Sequence, residues 1–215
     1  MSSNYIAQLY KSRGNLLYYL NDLGYDVSDH VNFTVDEISA KYSESTNDQI
    51  SLLNMDNIQH QEREESVSVM YYLKSRPSNI EQMSHNFFSS ISSNDDEKEK
   101  HTLIIIVNAS PNDTMIKSLK RLWHRYHEYV VVLDIPFLQL NILKHEYVPK
   151  HEKLMEDGKR ELYEKYNIVH DTQLPEISMM DPVARVILLR PSQVCRITRY
   201  DKISFKNYYY RICVA

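Results

Sequence analysis

Two continuous apolar runs constrain the fold more than any other feature of this sequence. Leu103–Val107 and Tyr129–Leu133 are rich in β-branched residues and carry no charge, which predicts strands that are buried on both faces. Between them, Ser110-Pro111-Asn112-Asp113 predicts the start of a helix that runs to about His127. Because parallel strands need a crossover connection, this order predicts a strand–helix–strand unit in a small mixed sheet.

Flanking segments predict helices and a further strand around this sheet. Apolar residues recur at helical spacing over residues 3–23, and Gly24 follows at the position of a C-terminal cap. Thr34-Val35-Asp36-Glu37 has the form of a capping box, which predicts a second helix. Residues 66–73 alternate as in a half-exposed strand, whereas residues 89–100 have almost nothing to bury and predict an exposed loop.

Proline and capping signals organise the last third of the chain. Pro136 and Pro149 interrupt regular structure in a predicted junction over residues 135–151. The segments predicted beyond it are helices at Glu156–Tyr166 and Val183–Leu189, the latter opened by Asp181-Pro182, and strands at Gln193–Tyr200 and Lys206–Val214. The two strands are joined closely enough to form an antiparallel hairpin. We therefore expect an α+β protein with two domains, residues 1–143 and 144–215.

Composition excludes several classes of function. Gly14, Gly24 and Gly158 are the only 3 glycines, so a GxGxxG turn, a P-loop and a GxSxG elbow are all absent. Cys195 and Cys213 form no CxxC pair, and no apolar run is long enough to span a bilayer. We therefore expect a soluble intracellular protein with no membrane partner and no cofactor.

One predicted helix carries a basic face. Lys117, Lys120, Arg121 and Arg125 lie beside an apolar stripe predicted at Ile116, Leu119, Trp123 and Tyr126. Such a face can contact phosphates, because each Lys or Arg displaces condensed counterions. From the residues alone it is more typical of an ordinary amphipathic helix whose basic side is solvated, since no base-reading motif accompanies it.

Signals for metal-dependent chemistry are weak. Asp96-Glu97-Lys98 loosely resembles part of a Mg²⁺-dependent nuclease site, but it falls in the predicted loop, where solvated charge is the usual explanation. Pro149 stands where a zinc-protease helix begun by His145-Glu146 would need its second histidine. His124 and His127 have no evident carboxylate or thiol partner. We expect no metal site and no catalytic residue.

The C-terminal third resembles a known family through five short matches. In order these are His145-Glu146-Tyr147-Val148-Pro149-Lys150-His151, Lys159-Arg160-Glu161-Leu162, Gln173-Leu174-Pro175-Glu176-Ile177, Asp181-Pro182-Val183-Ala184-Arg185 and Tyr210-Arg211-Ile212. They resemble the fifth subunit shared by eukaryotic RNA polymerases I, II and III, and its smaller archaeal counterpart. Leu23-Gly24-Tyr25-Asp26-Val27, Ala40-Lys41-Tyr42 and residues 108–119 resemble the family more faintly.

Two turns depart from the family pattern. Around Pro191-Ser192 and Asp201–Phe205 the chain lacks the glycines and small residues that are usual there. We expect Pro191 to restrict the first of these turns in place of the glycines.

The resemblance implies a non-catalytic polymerase subunit that is not a homo-oligomer. Residues 144–215 would be an assembly domain that docks on the largest subunit, and residues 1–143 a jaw domain beside downstream duplex DNA, with a restriction-endonuclease-like fold but no active site. The expected subunit-interface residues are His145, Glu146, Val148, Pro149, Lys150, His151, Leu174, Pro175, Asp181, Pro182, Val183, Arg185, Tyr210 and Arg211. For Leu174 and Pro182, a role in the fold alone is an equal alternative.

Within this family the basic face would make sequence-independent DNA contacts through Lys117, Lys120, Arg121 and Arg125. The basic face is a local feature of an acidic domain, because residues 1–143 carry 12 basic and 19 acidic side chains. Residues 144–215 carry 13 basic and 10 acidic side chains. The alternatives are a Mg²⁺-dependent nuclease that uses the jaw fold and a free-standing adaptor. The expected location is the nucleus or, for a virus-encoded member, the virion and host cytoplasm.

Overall fold

The computed structural model describes residues 3–44, 51–73, 77, 79–91, 100–202 and 205–215. The chain divides into two units, Met1–Leu140 and Asn141–Ala215, and each contains helices and one 4-stranded sheet. The α+β fold class predicted from the sequence is confirmed. Within the described ranges, no helix is both long and apolar enough to cross a membrane.

The N-terminal sheet has the strand order β1–β2–β3–β4. Its strands are β1 (Met55–Gln59), β2 (Ser66–Tyr72), β3 (His101–Val107) and β4 (Tyr129–Asp134). β1 runs antiparallel to β2, whereas β2, β3 and β4 are parallel. Every residue of β3 and β4 is buried, which confirms the buried strands and the crossover between them.

Four helices accompany this sheet in the described residues: α1 (Ser3–Asp22), α2 (Val35–Glu44), α3 (Ile80–Ile91) and α4 (Asp113–Tyr126). The capping box predicted for α2 is present, because Thr34 N–H donates to Glu37 Oε2 at 2.8 Å and Glu37 N–H donates to Thr34 Oγ1 at 3.3 Å. After α1, Gly24 has φ +92°, and a Cβ there would lie 3.0 Å from the His60 ring. Both helix-terminus predictions are confirmed.

The loop predicted over residues 89–100 is wrong at its start. Residues 89–91 form the last turn of α3, where the hydroxyls of Ser89 and Ser90 donate to the carbonyls of His85 and Phe87. Serine hydroxyls thus satisfy helix carbonyls that an exposed loop would leave to solvent. Residues 92–99 lie outside the described residues.

The C-terminal sheet has the order β5–β7–β8–β6. Its elements are β5 (Lys150–Lys153), α5 (Glu156–Tyr166), β6 (Glu176–Ser178), α6 (Pro182–Val186), β7 (Val194–Asp201) and β8 (Phe205–Val214). β7 and β8 pair antiparallel from Val194↔Ile212 to Asp201↔Phe205, so the predicted hairpin is confirmed. α6 ends at Val186 rather than at Leu189, because Leu188 adopts φ +51° and turns the chain out of the helix.

One face of the C-terminal sheet is covered by a small core. Val194 and Ile212 pack there with Leu162 of α5 and with Leu174. Since side chains alternate along a strand, Ile197 of β7 and Arg211 of β8 lie on the opposite face. That opposite face carries the groove described below.

The turn before β7 shows how the chain manages without the glycine expected there. Gln193 N–H donates to the Arg190 carbonyl at 3.1 Å, and Ser192 occupies the third position with φ +72°. Pro191 fits the second position of such a turn, where its fixed φ is favourable. The predicted restriction by Pro191 agrees with this geometry, but a serine now occupies a glycine conformation.

Candidate docking groove and basic helix face

An open groove of about 370 Å³ lies on the C-terminal unit. Ile177 of β6 and Ile197 of β7 form its floor on the sheet face opposite the small core, and both side chains are buried. The other lining residues are Tyr147, Val148, Pro149, His151, Asp181, Val183, Arg199 and Arg211. We call this site the docking groove. Its apolar centre and charged rim have the composition typical of protein-binding surfaces.

The turn before β5 forms one wall of the docking groove. Val148 N–H donates to the His145 carbonyl at 2.9 Å, and Tyr147 N–H donates to His145 Nδ1 at 3.3 Å, so His145 closes the turn from beneath. Tyr147 is left 85% exposed. A second depression of about 550 Å³ also borders Tyr147, Val148 and Pro149, so these residues form a ridge between two hollows.

The opposite wall is fixed by a helix cap. Asp181 accepts hydrogen bonds from the backbone N–H groups of Val183 at 2.9 Å and Ala184 at 3.2 Å, which holds the start of α6. Pro182 occupies the first helical position and is exposed. The Asp181-Pro182 signal in the sequence therefore places Val183 in the groove.

The groove is cationic at neutral pH. Arg211 Nη1 donates to the Glu176 carbonyl at 2.8 Å, and the Arg199 guanidinium lies 4.7 Å from the centre of the Tyr209 ring. His151 donates from Nδ1 to the Pro149 carbonyl at 2.6 Å, but burial is the larger effect and lowers its pKa, which favours the neutral ring. Because two arginines, Arg199 and Arg211, face the single carboxylate of Asp181, the groove lining keeps a net positive charge.

Ion pairs organise the strand beside the groove. Glu152 of β5 lies 2.7 Å from Lys150 Nζ and 2.9 Å from Arg196 Nη2 of β7. The hydrogen bond from Lys150 is the largest effect on Glu152 and lowers its pKa, and Arg196 adds to it. Lys150 is therefore tied to its own strand while its ammonium remains exposed.

The structure brings together part of the predicted interface set. Val148, Pro149, His151, Asp181, Val183 and Arg211 line the docking groove, and Glu146 and Lys150 line the neighbouring depression. Leu174 is 8% exposed and belongs to the small core, against which Tyr210 packs. Pro175 is exposed and its carbonyl accepts from Ile212 N–H, and Arg185 is half-buried on α6. Contact with a partner remains a prediction for all of these residues.

Sequence reasoning missed four groove residues: Tyr147, Ile177, Ile197 and Arg199. Tyr147 and Ile177 lie inside the family motifs, but neither was predicted to be a contact. Ile197 and Arg199 are two residues apart on β7, so alternation along the predicted hairpin places them on one face. That periodicity was the signal that could have identified them.

The basic face of α4 is present, and its apolar stripe partly follows the prediction. The buried residues are Met115, Ser118, Leu119 and Leu122, whereas Tyr126 is 38% exposed. Of the predicted stripe, Leu119 is buried and Ile116 and Trp123 are half-buried, so the prediction is wrong at Tyr126, an amphipathic aromatic that tolerates exposure. The N-terminus follows the prediction, since Asn112 Oδ1 accepts from Met115 N–H at 2.9 Å.

The four cations of this face do not have equal surroundings. Arg121 donates to Ser118 Oγ and lies 3.3 Å from Glu81 Oε2 of α3, so it ties two helices together. In the described part of the chain, no carboxylate lies within 4.0 Å of Lys117, Lys120 or Arg125. These three residues therefore keep their charge available for an external anion.

A metal centre finds no support in the geometry. Asp134 is buried and accepts from Ser110 Oγ at 3.1 Å and from Phe137 N–H at 3.4 Å, which are structural contacts at a strand end. Asp96 lies outside the described residues. Among the residues that are described, no group of 3 or more His, Cys, Asp and Glu side chains could hold a metal ion.

Fold and groove together define a class of protein: a two-unit α+β protein whose C-terminal unit carries an open groove with an apolar floor and a charged rim. A family model described as RNA polymerase Rpb5, C-terminal domain, matches residues 140–213, which include the whole groove. Subunit Rpo5 of the DNA-directed RNA polymerase of Pyrococcus abyssi (strain GE5 / Orsay) is 38% identical over 76 residues, which are 35% of this chain and 92% of the relative. The chain therefore belongs to the RNA polymerase subunit 5 family.

Two eukaryotic relatives show how the similarity is distributed. Subunit 5B of DNA-directed RNA polymerases IV and V from Arabidopsis thaliana is 27% identical over 208 residues, 96% of this chain and 89% of the relative. Subunit RPABC1 of DNA-directed RNA polymerases I, II, and III from Caenorhabditis elegans is 40% identical over 77 residues, 36% of each chain. The suspected relationship is confirmed, and nothing in the comparisons supports the nuclease alternative.

Proposed function

We propose that the chain is a non-catalytic subunit of a multisubunit DNA-directed RNA polymerase. Its C-terminal unit docks on the largest subunit through the docking groove, and its N-terminal unit is a jaw beside downstream DNA. The observation that carries the proposal is the position of the groove within residues 140–213, the region matched by the family model. The archaeal relative aligns over 92% of its length with only 35% of this chain, so a single unit of about this size is enough for a member of the family.

Tyr147 is the best candidate for an anchor at the docking groove. It is 85% exposed on a ridge that His145 and Pro149 hold in place. A tyrosine offers a large ring and a hydroxyl at low entropic cost, and such residues dominate the energetics of protein interfaces. The arginines beside it select for a partner surface that carries carboxylates.

The docking experiment compares two exposed tyrosines. We expect Tyr147→Ala to weaken binding of the intact chain to the purified largest subunit by about tenfold or more in a titration. Tyr166→Ala is the matched control, because Tyr166 is 55% exposed on α5 and does not line the groove. Equal affinities of the two variants would remove the groove from the interface. Co-purification with the polymerase in a fixed ratio separates a subunit from a free-standing adaptor.

For the jaw, the basic face of α4 supports contact with DNA phosphates. Lys117, Lys120 and Arg125 have no carboxylate partner in the described residues, whereas Arg121 is engaged with Glu81. The assembled polymerase carrying Lys117→Gln, Lys120→Gln and Arg125→Gln should bind downstream duplex DNA more weakly at low salt. The slope of log affinity against log salt should decrease by up to about three, since each phosphate contact contributes about one.

Two further variants sharpen this test. Adding Arg121→Gln should give a smaller additional loss, because that charge is partly compensated by Glu81. Glutamine at Lys11, Lys144 and Lys165, which are exposed elsewhere, removes the same charge without touching α4. An identical salt slope for both triple variants would show that net charge, and not the basic face, determines the affinity.

Location follows from the proposed complex. A subunit of a cellular polymerase acts in the nucleus, and a virus-encoded one acts in the virion and host cytoplasm. Fractionation of the native source, followed by detection of the chain with the largest subunit, distinguishes the two.

A further inference from the structure

The hairpin of β7 and β8 continues beyond the four-stranded sheet. β5 pairs with β7 only as far as Thr198, and β6 pairs with β8 only from Ile212 onward. We call the projecting part, residues 199–202 and 205–209, the aromatic ribbon. An isolated ribbon of two strands is marginally stable in water, so a projecting one gains from an additional contact.

Large aromatic side chains are exposed on both faces of the ribbon. Tyr200 is 77% exposed and Phe205 is 79% exposed, while Tyr208 and Tyr209 are each 46% exposed. The pairing places Tyr200 and Tyr208 on one face and Tyr209 on the other. Clustered apolar exposure of this kind marks interaction sites in soluble proteins.

Phe205 is unfavourable in two independent ways. Its backbone has φ +55°, a region that favours glycine, and its ring is almost fully in water. A phenylalanine that strains the backbone and packs against little of its own chain points to a role outside the fold.

The ribbon is also cationic. Between Arg199 and Arg211 the only acidic residue is Asp201. Within the described ranges, neither Arg199, Lys202 nor Lys206 has a carboxylate within 4.0 Å. These charges therefore lack internal compensation, and carboxylates are the complementary groups.

Cations cover two of the four aromatic rings, those of Tyr208 and Tyr209, which discriminates between partners. Arg199 lies 4.7 Å from the centre of the Tyr209 ring, and Lys206 lies 5.2 Å from that of Tyr208. A ring face that carries a cation is less accessible to a stacked base, which is the main contact in single-strand binding. The same arrangement presents N–H donors beside apolar ring edges, which suits carboxylates that alternate with apolar side chains.

We infer that the aromatic ribbon is a docking surface for an acidic, extended polypeptide segment of a partner protein. The partner's apolar side chains pack on Phe205 and Tyr209, its carboxylates pair with Arg199 on the same face, and Lys202 and Lys206 add positive charge from the other strand face. This surface shares Arg199 with the docking groove but goes beyond the proposed function, because Lys202, Phe205, Lys206 and Tyr209 line neither the groove nor the basic face of α4.

The test uses the intact chain and a labelled peptide of alternating Glu and Val. We expect saturable binding by fluorescence anisotropy, weakened about tenfold or more by Phe205→Gly combined with Tyr209→Ser. A peptide with Gln in place of Glu should bind the wild-type chain at least as weakly as the acidic peptide binds the double variant. Tyr147→Ala should bind the acidic peptide like the wild type, so that a failure of the groove proposal and a failure of this inference remain distinguishable.

Several results would overturn the inference. The first is that the acidic peptide does not bind. The second is that the Gln peptide binds as tightly as the acidic peptide, and the third is that an oligothymidylate of equal length binds more tightly than the acidic peptide. The single variant Phe205→Gly is the control for folding. Because glycine accepts φ +55°, this variant should not have a lower melting temperature than the wild type. A lower melting temperature with unchanged peptide affinity would assign Phe205 to the fold and contradict its proposed role.

Discussion

The two units use their sheets in opposite ways. In the N-terminal unit, β3 and β4 are buried at every residue, so many apolar residues of suitable size satisfy each position. In the C-terminal unit, one sheet face packs on α5 and the other contributes to a groove of defined charge. The N-terminal sheet therefore serves mainly as core, whereas the C-terminal sheet combines a packed face with a face that contributes to a surface site.

The largest effect is expected in the N-terminal core. Ile105 is fully buried in the middle of β3. Ile105→Ala should lower the free energy of unfolding by about 2–5 kcal/mol, measured by urea denaturation, because it leaves a cavity between packed neighbours. Val169→Ala is the control, since Val169 is 73% exposed. If Ile105→Ala also abolished binding at the docking groove under native conditions, the two units would not be functionally separate.

A smaller effect tests whether the groove wall depends on its helix cap. Asp181→Ala removes the acceptor for Val183 N–H and Ala184 N–H and should cost about 0.5–2 kcal/mol of stability. Asp181→Asn keeps a capping oxygen but removes the charge, so it should retain most of the stability. Comparing the affinities of both variants for the largest subunit separates the shape of the groove from its charge. Equal loss of stability in both would mean that the carboxylate charge, and not the cap geometry, is essential.

The turn at Ser192 offers a gain in stability. Because Ser192 adopts φ +72°, Ser192→Gly should raise the free energy of unfolding by about 0.5–1 kcal/mol. Thermal denaturation of both proteins gives the difference. Ser192→Ala keeps the Cβ and loses only the hydroxyl, so it should show no such gain. A destabilised glycine variant would mean that the serine side chain contributes more than its strained backbone costs.

The smallest effect is expected in the pH dependence of stability, where one histidine in each unit can be compared. Burial is the main cause that lowers the pKa of His30 and of His151. A lowered pKa means that the unfolded chain binds protons first, so stability should be complete above about pH 6.5 and should fall as the pH drops through the folded pKa. Replacing either histidine with Gln should make the free energy of unfolding depend less steeply on pH between about pH 7 and pH 5. Unchanged slopes would show that carboxylates dominate this range.

How much the sequence predicted depended on the strength of local signals. The strands around Ile105 and Val131, the capping box at Thr34 and the final hairpin were all predicted, because periodicity, composition and turn length agreed. β1, β5 and β6 were not predicted, since strands such as Lys150–Lys153 are short, polar and at sheet edges. Their pairing is decided by the neighbouring strand and not by their own residues.

The sequence predicted where the candidate site lies but not which residues line it. The motif from His145 to His151 located the turn, but Leu174 was chosen for its place in a motif although it is core. Alternation places Arg199 on the same face as Ile197, but which face meets the turn before β5 is decided by the pairing of β7 with β5 and β8, which no local pattern reveals. Burial and cross-strand proximity are properties of the folded chain, and a motif records both contact and packing residues without distinguishing them.

The cysteines give the C-terminal unit a reporter of its own. Cys195 and Cys213, the only 2 in the chain, lie on β7 and β8 and are both buried. Burial raises the pKa of each thiol to about 12, so neither forms the thiolate that alkylating reagents require while the unit is closed. Alkylation rates followed by mass spectrometry therefore measure the opening of the C-terminal unit alone. Slower labelling after a partner binds would measure how strongly that partner holds this unit closed, with no engineered probe.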